Sequence, residues 1–181
     1  MIDYRGYGMS EGSATEQGLY EDADAGIDWL ISKGADQDKT VYYGFSLGAI
    51  PLIHRAANRA DFKPKSLICE APLASTENLA QSSVLLNIDS EFVTELELNN
   101  AEQIKKVDVP FMWLHGEEDD FVEINNGELI FANYQGPYSE AHRVSNGGHA
   151  DLPRIMGYET FLETFLTFIR CLLYTSPSPR D

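Results

Sequence analysis

The 181-residue sequence has little cysteine, little positive charge and no long apolar run. Its two cysteines, Cys69 and Cys171, predict neither a disulfide framework nor a zinc site. Lysine and arginine number 13 against 29 aspartate and glutamate, a formal charge of −16 with no basic cluster, so we expect no nucleic-acid partner. No stretch approaches the roughly 18 apolar residues of a membrane-spanning helix. The 43% of apolar residues suffices for the core of one domain.

Strand-like and helix-like segments alternate along the sequence. Short β-branched and aromatic runs predict four strands, at residues 40–45, 66–69, 109–115 and 140–144. Amphipathic spacing predicts helices at residues 13–30, 47–59 and 123–134, and a last helix with an aromatic stripe at 158–169. Ser13 and Glu16 have capping-box spacing at the start of the first helix. This alternation predicts an α/β fold, a mostly parallel sheet flanked by helices on both faces.

Three segments fall outside the alternation. Residues 76–107 lack a clean period, and we expect short helices and a loop there, forming a cap-like insertion over a pocket. Residues 171–181 end in Ser-Pro-Ser-Pro and resemble a translated sequencing-library adapter, so we expect a non-native tail after a catalytic part at 1–170. Met1 leads directly into a strand-to-loop transition, and we expect the natural chain to begin upstream. The localisation of the protein therefore stays open.

The segment Gly44-Phe45-Ser46-Leu47-Gly48 joins a predicted buried strand to a predicted helix. That context favours a nucleophile elbow, a strained turn that exposes a serine hydroxyl at the top of a sheet. Ser46 is the predicted nucleophile. The N–H of Leu47, at the start of the helix, is a candidate donor to an oxyanion. We expect side chains at either flanking glycine to clash with neighbouring elements.

A serine hydroxyl needs a histidine base, and the base needs a carboxylate that holds its tautomer. Asp119 follows the third predicted strand and is the candidate acid. Asp120 is the alternative, although a surface carboxylate explains it better. His149 follows Gly147 and Gly148 and is the candidate base, the paired glycines letting the backbone turn its ring inward.

The other histidines have structural explanations. His54 falls within a predicted helix, His115 precedes the acid loop, and His142 lies within a predicted strand. We expect structural roles for these three.

Five motifs carry a resemblance to a known family: residues 2–12 (Ile-Asp-Tyr-Arg-Gly-Tyr-Gly-Met-Ser-Glu-Gly), 44–48, 70–72 (Glu-Ala-Pro), 115–119 (His-Gly-Glu-Glu-Asp) and 148–149. In order and spacing they resemble α/β-hydrolase-fold proteins of the serine esterase and ABHD-like group. The resemblance implies a partial α/β-hydrolase fold whose strands are the family's fifth to eighth. It also implies the roles of nucleophile, acid and base for Ser46, Asp119 and His149.

The resemblance also implies what the sequence lacks. The family's first strands and its His-Gly oxyanion loop, the source of a second backbone donor, lie upstream of the region present. We therefore expect the chain by itself to aggregate or to be inactive.

The predicted activity is cleavage of a carboxylic ester or related acyl bond of a small-molecule substrate, with no metal or organic cofactor. A thioesterase and a prolyl-oligopeptidase-like peptidase are alternatives, because the residues predict the mechanism but not the leaving group. A noncatalytic binding protein of the same fold is a further alternative.

Overall fold

The computed structural model of the chain describes residues 2–76 and 98–174. Within them, four parallel strands form one sheet, in spatial order the same as chain order: β1 (Val41–Phe45), β2 (Ser66–Glu70), β3 (Phe111–Gly116) and β4 (Ser139–Val144). The helices of these residues are α1 (Glu16–Ser32), α2 (Ala49–Asn58), α3 (Asn100–Gln103), α4 (Asn125–Asn133), α5 (Leu152–Met156) and α6 (Tyr158–Tyr174). The predicted mostly parallel sheet with flanking helices is confirmed.

The two central strands of the sheet, β2 and β3, are buried between two helical layers. On one face, Ile27 of α1, Ile53 of α2 and Ile130 of α4 pack on the side chains of β2 and β3. On the other face, Phe168 of α6 joins Ile68 of β2 in a second apolar cluster. Every residue of β2 and β3 is buried, which explains their continuous apolar runs. The two central strands are thereby fixed, and so are the loops that leave their carboxyl ends.

Two helix starts differ from the sequence prediction. Helix α1 begins at Glu16, because the hydroxyl of Thr15 accepts a hydrogen bond from the N–H of Gly18 at 3.0 Å. The predicted capping role of Ser13 is therefore wrong. A 3₁₀ turn over Ser46–Gly48 precedes α2, and Pro51 falls in the first turn of α2, where its missing N–H costs no helical bond.

The predicted cap-like insertion at 76–107 lies partly outside the described residues. Its last third is described and belongs to the core: Leu98, Ala101, Ile104 and Val107 are buried. The N–H of Thr76 donates to the carbonyl of Leu98 at 3.1 Å, so residues 76 and 98 lie side by side. The segment after residue 97 thus packs under α2 and α4 instead of forming a cap.

Helix α6 continues past the predicted boundary at residue 171. It ends at Tyr174, and Leu172 is buried in the same apolar cluster as Phe168. Residue 171 is therefore not a structural boundary. The rest of the predicted non-native tail, residues 175–181, lies outside the described residues, and its origin stays a prediction.

Strand β1 is at the edge of the sheet formed by the described strands, next to β2. Its Tyr43 and Phe45 are 46% and 36% exposed. No helix in residues 2–76 and 98–174 is both long and apolar enough to cross a membrane.

Candidate active site

Ser46 lies in a strained turn at the carboxyl end of β1. Its φ of 51° is in the left-handed region, which a residue with a Cβ adopts only at a cost of about 1–3 kcal/mol. A Cβ at Gly44 would lie 2.6 Å from the Cα of Ala49, so the strand and helix can approach closely only with glycine at 44. At Gly48, by contrast, no described atom lies within 4 Å of such a Cβ. The expected clash is therefore confirmed at Gly44 and wrong at Gly48.

Leu47 occupies the second position of the 3₁₀ turn that leads into α2. The first N–H groups of a helix lack an intrahelical acceptor, and the helix dipole places partial positive charge there. The backbone at Leu47 is thus of the kind that stabilises an anion next to Ser46.

Asp119 is buried in the loop after β3, and its side chain is inaccessible to solvent. Its Oδ1 accepts hydrogen bonds from the amides of Phe121 and Val122, at 3.0 and 2.9 Å. Burial alone would raise the pKa of the carboxyl, but hydrogen bonds from His115, His149 and Val122 outweigh burial and lower that pKa. Asp119 is therefore ionised at neutral pH. Asp120 is exposed, which favours Asp119 over the alternative.

His149 joins Ser46 to Asp119. Its Nδ1 lies 2.8 Å from Oδ2 of Asp119, and its Nε2 lies 3.0 Å from Oγ of Ser46. A carboxylate can only accept, so Nδ1 carries the proton and donates it to Asp119. Nε2 is then free to accept the hydroxyl proton of Ser46. The structure thus brings together the three side chains that were predicted, in the order hydroxyl, imidazole, carboxylate.

The loop that carries His149 bends at Asn146, whose φ is 60°, and neither Gly147 nor Gly148 has a positive φ. The expectation that paired glycines provide the bend is therefore wrong. Gly147 serves close packing, because a Cβ there would lie 2.6 Å from the side chain of Leu152. The amide of Gly148 donates to Asp151 at 2.8 Å and ties the loop to the start of α5.

Two aromatic rings flank the imidazole of His149. The ring centroids of Phe45 and Phe121 lie 4.9 and 5.7 Å from that of His149. With 11% of its side chain exposed, His149 is largely shielded from water. Because water is largely excluded, the hydrogen bonds at both ring nitrogens are electrostatically stronger than they would be in water.

The remaining histidines differ in whether they contact the three side chains of the candidate site. His54 stacks on Tyr20 with ring centroids 3.8 Å apart, and Nε2 of His142 lies 3.2 Å from Glu140, so both have the expected structural environments. His115 is different, since its Nε2 lies 3.2 Å from Oδ2 of Asp119. Sequence reasoning missed this contact. The four-residue spacing in the motif at 115–119 was the available signal.

Glu70 is a second buried carboxyl at this edge of the sheet, at the end of β2. It accepts a hydrogen bond from the hydroxyl of Tyr43. Burial raises the pKa of Glu70, against the opposite effects of Tyr43, His149 and His115. Residues 2–76 and 98–174 contain no cluster of three or more His, Cys, Asp or Glu side chains arranged to hold a metal ion.

The chain is similar in sequence to a known protein of about twice the aligned length. No protein-family model matches the chain. It is 29% identical over 170 residues to human alpha/beta hydrolase domain-containing protein 17B, an alignment that covers 92% of this chain and 54% of that protein. The chain thus spans about half the length of this curated relative.

Among the solved structures with a similar fold are an esterase and a lipase. An esterase of Pyrococcus furiosus superposes with a TM-score of 0.76 at 15% identity, over 94% of this chain and 68% of that one. A monoacylglycerol lipase of Paleococcus ferrophilus gives 0.67 at 16% identity, over 93% of this chain and 81% of that one. The chain has a partial α/β-hydrolase fold and is similar in sequence to alpha/beta hydrolase domain-containing protein 17B.

Proposed function

We propose that this chain is the catalytic part of a serine hydrolase that cleaves carboxylic esters or related acyl bonds. The observation that carries the proposal is the pair of hydrogen bonds on His149, 3.0 Å to Ser46 and 2.8 Å to Asp119. These bonds require the imidazole tautomer that a general base needs. The similar structures include an esterase and a lipase, which supports the same chemistry.

Acylation begins when Oγ of Ser46 attacks the acyl carbon and Nε2 of His149 takes the hydroxyl proton. Asp119 then stabilises the imidazolium through its hydrogen bond to Nδ1. The negative charge on the carbonyl oxygen is stabilised by the N–H of Leu47, one donor of an oxyanion hole. As the tetrahedral intermediate collapses, the bond to the leaving group breaks, and His149 returns the proton to that group.

Deacylation repeats these steps with water. Nε2 of His149 removes a proton from water, the hydroxyl attacks the acyl-serine, and Ser46 leaves with the proton that His149 returns. The products are a carboxylic acid and the regenerated hydroxyl of Ser46. No metal or organic cofactor takes part in this scheme. The scheme is the same for esters, thioesters and peptide bonds, and substrate profiling decides among them.

The test uses the full-length protein, meaning the longest natural reading frame that contains these residues. A fluorophosphonate probe reacts only with a serine that a neighbouring base activates. We expect labelling of the full-length protein, its loss in Ser46→Ala, and a fall in labelling rate in His149→Gln.

Ser145→Ala is the matched control, because Ser145 is exposed and its hydroxyl donates to Glu117, away from Ser46. Labelling should be unchanged in this variant. A folded full-length protein that resists the probe would contradict the proposal and favour the noncatalytic binding protein. Labelling that survives Ser46→Ala would contradict the assignment of the nucleophile.

A further inference from the structure

His115 lies beneath the candidate site, fully buried at the end of β3. Both of its ring nitrogens have polar neighbours. Nε1 of Trp113 lies 3.3 Å from its Nδ1. Its Nε2 lies 2.7 Å from the carbonyl oxygen of Val122 and 3.2 Å from Oδ2 of Asp119.

These neighbours determine which nitrogen carries the proton. An indole N–H can only donate, so Nδ1 of His115 must accept from Trp113. A carbonyl and a carboxylate can only accept, so Nε2 must donate to Val122 and Asp119. A proton on Nδ1 would point at the indole N–H and leave Trp113 without its acceptor. Both sides of the ring therefore require the Nε2–H tautomer.

The contact of His115 complements the other bonds of the acid. Oδ1 of Asp119 is held by two backbone amides, and Oδ2 receives the N–H of His149. Nε2 of His115 is the second polar neighbour of Oδ2, at 3.2 Å, and its hydrogen bond goes to the carbonyl of Val122, the residue whose amide holds Oδ1. The buried imidazole of His115 thus contacts both the Asp119 carboxylate and the backbone of the loop that carries it.

We propose that His115 is a positioning residue: its Nε2–H orients the Asp119 carboxylate toward His149, and the bond from Trp113 to Nδ1 favours the same tautomer. The inference rests on the proposed hydrolase function, since the orientation of Asp119 matters for turnover only if His149 acts as a base. It adds a second histidine to the site, one that never touches the substrate.

The first test needs no change to the ring environment. Long-range proton–nitrogen correlation spectra of the full-length protein report which ring nitrogen of each histidine is protonated, and His115→Gln assigns the signals of His115 by their loss. We expect an unprotonated Nδ1 and a protonated Nε2. A proton on Nδ1 overturns the proposal.

The second test is kinetic and compares His115→Leu with His115→Gln. Leucine removes the donor, and loss of one hydrogen bond to a charged group should lower kcat roughly 10- to 100-fold. KM should not change, because His115 does not contact substrate. Glutamine can place an amide N–H near the position of Nε2, so His115→Gln should recover part of the lost kcat. His142→Gln on β4 is the control and should match the unmodified protein.

A folded His115→Leu variant with unchanged kcat, or with a change in KM alone, overturns the positioning role. If His115→Leu does not fold, the tautomer measurement and the His115→Gln kinetics decide. Failure of the proposed function has a different signature, because the unmodified protein would then resist the fluorophosphonate probe. The tautomer result does not depend on turnover.

Discussion

Replacing Asp119 with asparagine removes one oxygen from a carboxylate that accepts three hydrogen bonds and has His115 as a fourth polar neighbour. Oδ1 accepts two backbone amides, and Oδ2 accepts from His149 and lies 3.2 Å from Nε2 of His115. Asparagine has one oxygen, so if that oxygen stays with the amides of Phe121 and Val122, its NH₂ group points at His149. The imidazole must then accept at Nδ1 and carry its proton on Nε2. That tautomer cannot take a proton from Ser46.

The corresponding change in a well-studied serine protease lowers kcat about 10⁴-fold, and we expect a loss of about that size in Asp119→Asn. Such a loss corresponds to about 5.5 kcal/mol of transition-state stabilisation. Asp120→Asn is the matched control, because Asp120 is adjacent but exposed and should change kcat little. Stopped-flow turnover of an activated ester measures both variants. Equal losses in the two variants, or a loss below about tenfold in Asp119→Asn, would refute this reasoning.

Three further predictions concern the turn, the second buried carboxyl and the indole. Gly44→Ala should destabilise the protein by about 1–3 kcal/mol in urea unfolding and slow probe labelling, whereas Gly48→Ala, with no described residue within 4 Å of the added Cβ, should be near neutral. Glu70→Gln should raise Tm at alkaline pH, because a raised folded-state pKa means that ionised Glu70 opposes folding; the gain should vanish as the pH falls below the usual glutamate pKa, and a constant or reversed difference would contradict this. Trp113→Phe should leave Nε2 of His115 protonated in nitrogen-resolved spectra, because Val122 and Asp119 still accept on that side of the ring, and a proton on Nδ1 in this variant would contradict this.

The sequence allowed the sheet and the meeting of the three side chains to be predicted, because both follow from local patterns. Continuous apolar runs mark buried strands, and loops after parallel strands share one edge, which is where Ser46, Asp119 and His149 meet. Features that depend on particular three-dimensional contacts were not predictable. Thr15 caps α1 because its hydroxyl accepts a hydrogen bond from the N–H of Gly18. Sequence spacing alone could not show that Thr15, and not Ser13, makes this bond.

The same limit explains the missed histidine. The spacing of His115 and Asp119 in the sequence does not show that their side chains meet, and the role of His115 depends on contacts made by the fold with Trp113, Val122 and Asp119. Likewise, composition placed a boundary at residue 171, whereas the helix continues to Tyr174 and Leu172 packs in its apolar cluster; the foreign origin of residues 171–181 stays a prediction.

The most direct test of the account is to trap the acyl intermediate. The full-length protein is mixed with an activated acetyl ester, quenched in acid during turnover and digested for mass spectrometry. The account predicts one acetylated peptide, with the acetyl group on Ser46, and greater accumulation when deacylation is slowed. Turnover with the acetyl group on another residue, or with no acylated serine at any time, would contradict it.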